Sequence, residues 1–313
     1  MPLLMPSLTL SPLVAPQRLV IIGSGGFVGR HCARLLSPLC PVLPLSRQEV
    51  DLLSPSAAET LASFLKEEDT LLITSALAPC KSGAMLIDNL KMIESVTQAI
   101  ADKKPAHLVY ISSDAVYKDS SGRITEASCA QPDSFHGVMH LAREVMLRNS
   151  FSGPFAIVRP TLIYGAEDPH NGYGPNSFVR LALQNKSISL FGKGEELRDH
   201  IAVEAVAEIV KRVLFHRAEG VVNAVSGNEI SFQSIAQLAQ KLTGSTGSIL
   251  ENPRKGPMPH NGFRVFDPVG RREAFPDFEC QAIESGLAAM IEKLKIVLID
   301  ETGRLRHTIP TAN

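Results

Sequence analysis

Leu19-Val20-Ile21-Ile22-Gly23-Ser24-Gly25-Gly26-Phe27-Val28-Gly29 leads directly into Arg30-His31-Cys32-Ala33-Arg34-Leu35-Leu36. An apolar run, a glycine turn and a helix-forming segment follow one another, the context in which a glycine fingerprint binds a dinucleotide. In the spacing Gly-x-x-Gly-x-x-Gly, Gly23 permits the tight turn and Gly26 lets the backbone approach a pyrophosphate. Gly29 lets helix and strand pack closely. The pyrophosphate then lies on the helix N-terminus, where unpaired N–H groups and the helix dipole favour an anion. Ser24, Phe27 and Val28 complete the loop as cofactor-binding candidates.

Outward from this unit, strands and helices alternate. Pro41-Val42-Leu43-Pro44-Leu45 is a second strand, 55–66 a helix, and Leu71-Leu72-Ile73-Thr74 a buried strand. Residues 84–102 carry apolar side chains at helical spacing (Met85, Ile87, Leu90, Ile93, Val96, Ile100). His107-Leu108-Val109-Tyr110-Ile111 is the next strand, 136–149 a helix, and Ala156-Ile157-Val158-Arg159 another strand. Such alternation implies right-handed crossovers and an α/β fold, a Rossmann-type doubly wound parallel sheet. After about residue 165 the texture changes. Segment 166–176 is a Gly-, Pro- and Asn-rich loop, helices are expected at 176–185, 203–216, 231–243 and 283–295, and 252–260 is Pro-rich loop. The expected organisation is a loose N-terminal lead (1–17, with Met5 as an alternative start) and a dinucleotide-binding domain (18–165). A smaller C-terminal α/β substrate-binding lobe (166–296), from which the chain can cross back to the first sheet, and a tail (297–313) complete it. Ligands of open α/β sheets bind at the carboxyl ends of the strands, so the lobe is expected to cover that crevice.

Composition narrows the function. The 313 residues are 44% hydrophobic and 20% charged with a formal net charge of -1, which gives no electrostatic reason to expect nucleic acid or an anionic membrane. No apolar run approaches the roughly 20 residues that span a bilayer, and the N-terminus has no basic region ahead of its apolar residues, against a signal peptide. Cys32, Cys40, Cys80, Cys129 and Cys280 lack paired spacing, which fits a reducing cytoplasm and neither a disulfide framework nor a zinc knuckle.

Several landmarks in order resemble the extended short-chain dehydrogenase/reductase family, the nucleotide-sugar epimerases, dehydratases and reductases. They are Gly23-x-x-Gly26-x-x-Gly29, Asp51-Leu52, Asn89, Ser112-Ser113-Asp114-Ala115-Val116-Tyr117, Arg159-Pro160-Thr161 with Tyr164-Gly165, Phe191-Gly192-Lys193-Gly194, Arg198-Asp199, and Val222 to Gly227 with Ser231-Phe232. The resemblance covers about residues 18–290. It implies cofactor contacts from the glycine loop, Asp51 and Leu52 near the adenine, Ala76, and Asn89. The family's second strand often ends in a carboxylate that binds ribose hydroxyls. Here it ends Leu45-Ser46-Arg47, and Ser and Arg can hydrogen-bond a 2′-phosphate. NADP(H) is therefore favoured over NAD(H).

The family's hydride chemistry uses a Ser or Thr with a Tyr-x-x-x-Lys pair, the lysine binding ribose and lowering the tyrosine pKa. Ser113 fits the serine role. Aligned on Gly137 and Glu144, the other two positions are His136 and His140, so the chain departs from the family with His-x-x-x-His. Residues i and i+4 share a helical face. Three readings follow. His136 replaces tyrosine as acid/base, suited by the unperturbed imidazole pKa, with His140 on the ribose. Or the site has lost its chemistry and keeps binding. Or the histidines hold a metal, although no third ligand is evident and the Glu of His-Glu-x-x-His is missing.

On the substrate side the resemblance gives Arg198 to a nucleotide diphosphate, with Ser113 and Asp114 at the sugar. Asn176, Ser177 and Arg180 open a helix facing the same region. Arg198 pairing with Asp199 is the structural alternative, and His200 and Ala202 stand where the family often has aromatic residues. The expected protein is an NAD(P)-dependent nucleotide-sugar epimerase or keto-sugar reductase, closer to the reductase branch. The alternative is a catalytically impaired NAD(P)- and sugar-nucleotide-binding homologue. Family members often dimerise through two long helices, here 84–102 and 136–149, so a homodimer is expected. Metal, nucleic-acid and membrane partners are not.

Overall fold

The expected first strand is β1, Leu19–Ile22, buried along its whole length. A strand covered on both faces reads as a continuous apolar run. A computed structural model describes residues 8–298. The remaining parts of the expected lead and tail, 1–7 and 299–313, lie outside the described residues. After β1 come α1 (Phe27–Leu36), β2 (Val42–Leu45), α2 (Ala57–Phe64), β3 (Thr70–Ile73), α3 (Gly83–Asp102), β4 (His107–Ile111), α4 (Phe135–Ser150) and β5 (Phe155–Pro160). These strands form a parallel sheet in the order β2-β1-β3-β4-β5, and a later strand extends it.

Alternate strand residues feed opposite cores. Leu19, Ile21, Leu72, Val109 and Val158 pack on the α1 face. Val20, Ile22, Leu71, Leu108 and Tyr110 pack on the face covered by Ile93, Val96 and Ile100 of α3 and Leu147 of α4. Each such aliphatic side chain, fully buried, contributes about 1.5–3 kcal/mol. The period of two also turns the Tyr110 side chain toward α4.

The second half is β6 (Leu162–Tyr164), α5 (Pro175–Leu183), β7 (Ile188–Phe191), β8 (Leu197–Ala202), α6 (Val203–Phe215), β9 (Gly220–Ala224), β10 (Glu229–Ser231), α7 (Phe232–Thr243), β11 (Ile249–Asn252), β12 (Phe263–Arg264), α8 (Val269–Ala274) and α9 (Ile283–Leu298). Here α6 packs on α1 and β9 pairs in parallel with β5, Ala156 opposite Gly220. The rest forms a small sheet, β10-β8-β12 with β6 beside β8, and a parallel pair, β7 with β11. Residues 8–14 of the expected loose lead are tied to the fold. Thr9 N–H donates to Glu219 O at 2.8 Å, Ser11 N–H to His216 O at 2.8 Å and Val14 N–H to Phe215 O at 2.8 Å. Among the described residues no helix is long and apolar enough to cross a membrane.

Candidate functional site

The glycine loop is shaped by its own packing. Gly23 has φ +86°, and a Cβ there would stand 2.6 Å from the Ser75 backbone N, so only glycine fits. A Cβ at Gly29 would overlap the Gly23 carbonyl oxygen. The Thr74 hydroxyl donates to Ile22 O and Gly23 O at 2.9 and 3.0 Å. The first turn of α1 has no side-chain cap and no acidic residue, which leaves its N–H groups for an anion. Gly23, Gly26, Ser46, Arg47, Asp51 and Ala76 are among the residues lining a cavity of about 400 Å³, within the roughly 300–1,000 Å³ of small-molecule sites. Ser75 Oγ in its wall is buried and has no partner among the described residues. These features fit a dinucleotide. The Phe27 ring lies edge-on to His31 and Val28 packs on the α1-side core, so the backbone is what they offer a ligand.

The ribose end holds a group the sequence reading missed. Glu49 Oε2 accepts the Ser46 N–H at 2.7 Å, and its hydrogen bonds to Ser46 hold the carboxyl below the ordinary range. A carboxylate thus stands near the end of β2 after all, four residues past Leu45, the last residue of the strand. Arg47 pairs with Asp51 at 3.1 Å and is 76% exposed. Leu52 is buried beneath them.

On the facing side, Ser134 caps α4 by accepting the Gly137 N–H at 3.1 Å. Gly137 lies so close to the Ala115 carbonyl that a Cβ would overlap it. That contact sets His136 beside the turn Asp114–Val116, whose N-cap is Ser113. Ser113 Oγ accepts the Ala115 N–H at 3.1 Å. The rings of His136 and His140 meet edge to face, centroids 4.7 Å apart at 89°. His136 Nδ1 accepts the Cys80 N–H at 3.4 Å, and His140 Nδ1 pairs with the Tyr110 hydroxyl at 2.7 Å. Burial pushes both imidazoles down, His136 against the opposing pull of Asp114, His140 with help from the His136 and Arg143 charges. Both are neutral near pH 7. Among the described residues no group of three His, Cys, Asp or Glu is arranged to hold a metal.

Asn89 is fully buried and its amide is committed to the protein. It donates to Leu77 O and Met85 O at 3.0 and 2.9 Å and accepts from Leu77 N and Arg143 Nη1 at 3.0 and 3.2 Å. It shapes the segment after β3 and has no donor left for a cofactor. Asn176 and Arg180 are likewise used. Asn176 Oδ1 accepts the Gly165 N–H at 3.0 Å, and Arg180 donates to Ala166 O and Asp168 O at 2.9 and 3.0 Å. Both brace the loop after β6 instead of aiming free groups into the crevice.

Arg198 does not pair with Asp199. Asp199 accepts from Thr161 Oγ1, Ser226 N and Gly227 N at 3.1, 2.9 and 2.6 Å, and burial pushes its carboxyl up to about 6. Arg198 Nη1 is ion-paired with Glu196 Oε1 at 3.3 Å, outside hydrogen-bond geometry, and this buried nitrogen has no other partner among the described residues. Arg264, another missed residue, crosses from β12 to the Ser113 turn. It donates to Asp114 Oδ2 at 2.9 Å and Asp119 Oδ1 at 2.8 Å. His200 is buried against Phe232 with neither ring nitrogen bonded, and burial pushes its imidazole down to about 3.

Comparison with known proteins agrees with this architecture. The chain is 22% identical over 268 residues to an uncharacterized UDP-glucose epimerase of Bacillus subtilis, covering 74% of this chain and 84% of that protein. Its fold is similar to UDP-glucose 4-epimerase of Thermotoga maritima with UDP-glucose (TM-score 0.78, 17% identity, 90% of this chain and 99% of that one). A GDP-L-fucose synthetase of Naegleria fowleri bound to NADP is also similar (TM-score 0.77, 14% identity, 92% and 96%). The family model for the NAD dependent epimerase/dehydratase family matches residues 19–225, well over half of the chain. On the glycine cradle, the parallel sheet and that match, the protein belongs to the NAD-dependent epimerase/dehydratase family of extended short-chain dehydrogenases/reductases.

Proposed function

We propose that the protein is an NAD(P)H-dependent enzyme of sugar nucleotides that works in the reducing direction on a keto-sugar. The observation that carries this reading is the Cys80 N–H on His136 Nδ1. With Nδ1 accepting, the proton of the neutral ring sits on Nε2, and the ring faces a substrate as a donor. A donor suits a carbonyl oxygen that gains charge. An epimerase also needs a base for the hydroxyl it oxidises. The bound nicotinamide supplies the hydride. His136 Nε2–H donates a hydrogen bond to the carbonyl oxygen and polarises it, the use of a neutral imidazole known from triosephosphate isomerase. The proton that completes the new hydroxyl comes from solvent. Ser113 supplies a second hydrogen bond at that oxygen, His140 holds a ribose hydroxyl, and the Arg198 guanidinium, paired with Glu196 in the free protein, takes the diphosphate.

Arg47, free to turn from Asp51 to a 2′-phosphate, supports NADP(H); Glu49 is the charge that opposes it. Ile87 on α3 and Val138 and Val145 on α4 are exposed apolar side chains (54%, 39% and 36%) on two helices that pack together. They support a homodimer across α3 and α4, to be read by light scattering. Five unpaired cysteines support a reducing, cytoplasmic setting. The direct test mixes enzyme, NADPH and a nucleoside-diphosphate 4-keto-sugar. Loss of NADPH with formation of the hydroxy-sugar supports the reading. Interconversion of two hydroxy-sugars on tightly held NAD would make it an epimerase, and binding of both ligands without turnover a binding protein.

A further inference from the structure

Tyr110 and Arg143 stand behind His140 and have no part in the reading above. Tyr110 is 1% exposed, and its hydroxyl has one partner among the described residues, His140 Nδ1 at 2.7 Å. Two proton arrangements satisfy that distance. If Nδ1–H donated, the phenolic hydrogen would be left in the core without an acceptor, at the full cost of desolvating it. If the phenol donates, both groups are paired and the imidazole proton lies on Nε2. Burial raises the Tyr110 pKa, so the phenol has its hydrogen to give. No protein group among the described residues bonds His140 Nε2, yet this atom is not sealed from solvent.

Arg143 settles the charge. Its guanidinium is fully buried one turn along α4, 5.3 Å from the Tyr110 ring centroid. It donates to Asn89 Oδ1 at 3.2 Å and Ser75 O at 2.7 Å, both uncharged. The nearby carboxylate, Glu144, is already held by Arg159 at 2.6 and 2.9 Å and by the Ser112 hydroxyl at 2.5 Å. Facing His140 are therefore Tyr110 from β4 and His136 and Arg143 from α4, with the Asp114 charge reaching His136 from the turn and Asn89 on α3 binding Arg143. The permanent charge among those facing it is positive, which disfavours an imidazolium.

We infer that Tyr110 and Arg143 are positioning residues that hold His140 as a neutral imidazole protonated on Nε2, presenting a fixed N–H donor to a hydroxyl oxygen of the bound nucleotide. The ligand half rests on the cofactor reading proposed above; the tautomer half does not.

Long-range ¹H–¹⁵N correlation spectra of the ¹⁵N-histidine-labelled protein, with His140 assigned by its loss in His140→Gln, test this without turnover. The expected result is the Nε2–H pattern for His140 throughout about pH 5–8. Tyr110→Phe should shift it toward Nδ1–H, and Arg143→Gln should let the imidazolium form at higher pH than in the parent. An Nδ1–H pattern or an imidazolium in the parent protein at pH 7 overturns the inference, and the parent spectrum decides even if a variant does not fold. NADPH affinity should fall about tenfold in Tyr110→Phe, the loss of one well-placed hydrogen bond. A changed tautomer with unchanged affinity overturns the ligand half alone.

Discussion

The backbone N–H of Cys80 donates to Nδ1 of His136 across 56 residues of sequence, joining the segment after β3 to the first turn of α4. A ring held this way gives its Nδ1 lone pair to the protein and keeps its Nε2 proton. In the proposed reading that N–H is a donor aimed before substrate arrives, and pre-oriented donors are the part of a site that acts on charge developing in the transition state.

A neutral donor has a kinetic signature. His136→Ala should lower turnover by about 10²- to 10⁴-fold while NADPH still binds. In the parent, burial holds the His136 pKa below its ordinary value, so the neutral working species already predominates at pH 6.5 and only gains as pH rises. Turnover should be flat from about pH 6.5 to 8.5. A rate that falls about tenfold per pH unit over that window would mean that imidazolium is the acid.

The ribose end carries charges of both signs, so its two variants should move selectivity in opposite directions. Glu49→Gln removes the carboxylate held by Ser46 and should raise NADPH affinity relative to NADH by about three- to tenfold. Arg47→Ala should lower it by a similar factor, as expected for a solvent-exposed charge. Titration of each variant with both dinucleotides reads the ratio. Equal ratios in parent and variants would remove both residues from cofactor choice.

His200 gives a stability prediction. Its imidazole is pushed down to about 3 by burial, far below the ordinary 6.5. A histidine depressed in the fold contributes no acid sensitivity above its unfolded pKa, and stability is lost as pH falls from about 6.5 toward 3. His107, pushed down to about 4, acts in the same sense. Because neither His200 nitrogen is bonded, His200→Leu should raise stability at pH 7 by about 1 kcal/mol and flatten the acid decline. Urea unfolding at pH 7 and 5 reads both effects, and a destabilised His200→Leu at both pH values would show that the imidazole has a partner.

The parallel sheet was legible because its strands are unbroken apolar runs, and the long helices because α3 and α6 carry clean apolar spacing. The glycine loop was legible because its spacing and flanks lie within one strand–turn–helix unit, Gly29 answering to the Gly23 carbonyl, although the contact that fixes Gly23 is with the Ser75 backbone. The short lobe strands were not, since β8 holds Arg198, Asp199 and His200 and β12 has two residues, too few for a period to show. Tyr110 lay in a strand that was read correctly, but its meaning depends on a hydroxyl partner 30 residues away on another element. Arg264 meets Asp114 across 150 residues. Asn176 and Arg180 look like ligand groups in sequence because nothing local reveals that Gly165, Ala166 and Asp168 use them. Spacing reports which residues share a face, while the hydrogen bonds that engage them are set by distant chain.

The most direct measurement uses NADPH carrying deuterium at C4 of the nicotinamide with a nucleoside-diphosphate 4-keto-sugar, comparing the parent with His136→Ala by mass spectrometry. The account predicts one deuterium on the reduced sugar carbon per NADPH consumed, and its near-complete loss in His136→Ala. Deuterium transfer at an undiminished rate in His136→Ala would contradict the role given to that ring, and no transfer by a parent protein that binds both ligands would contradict the enzyme itself.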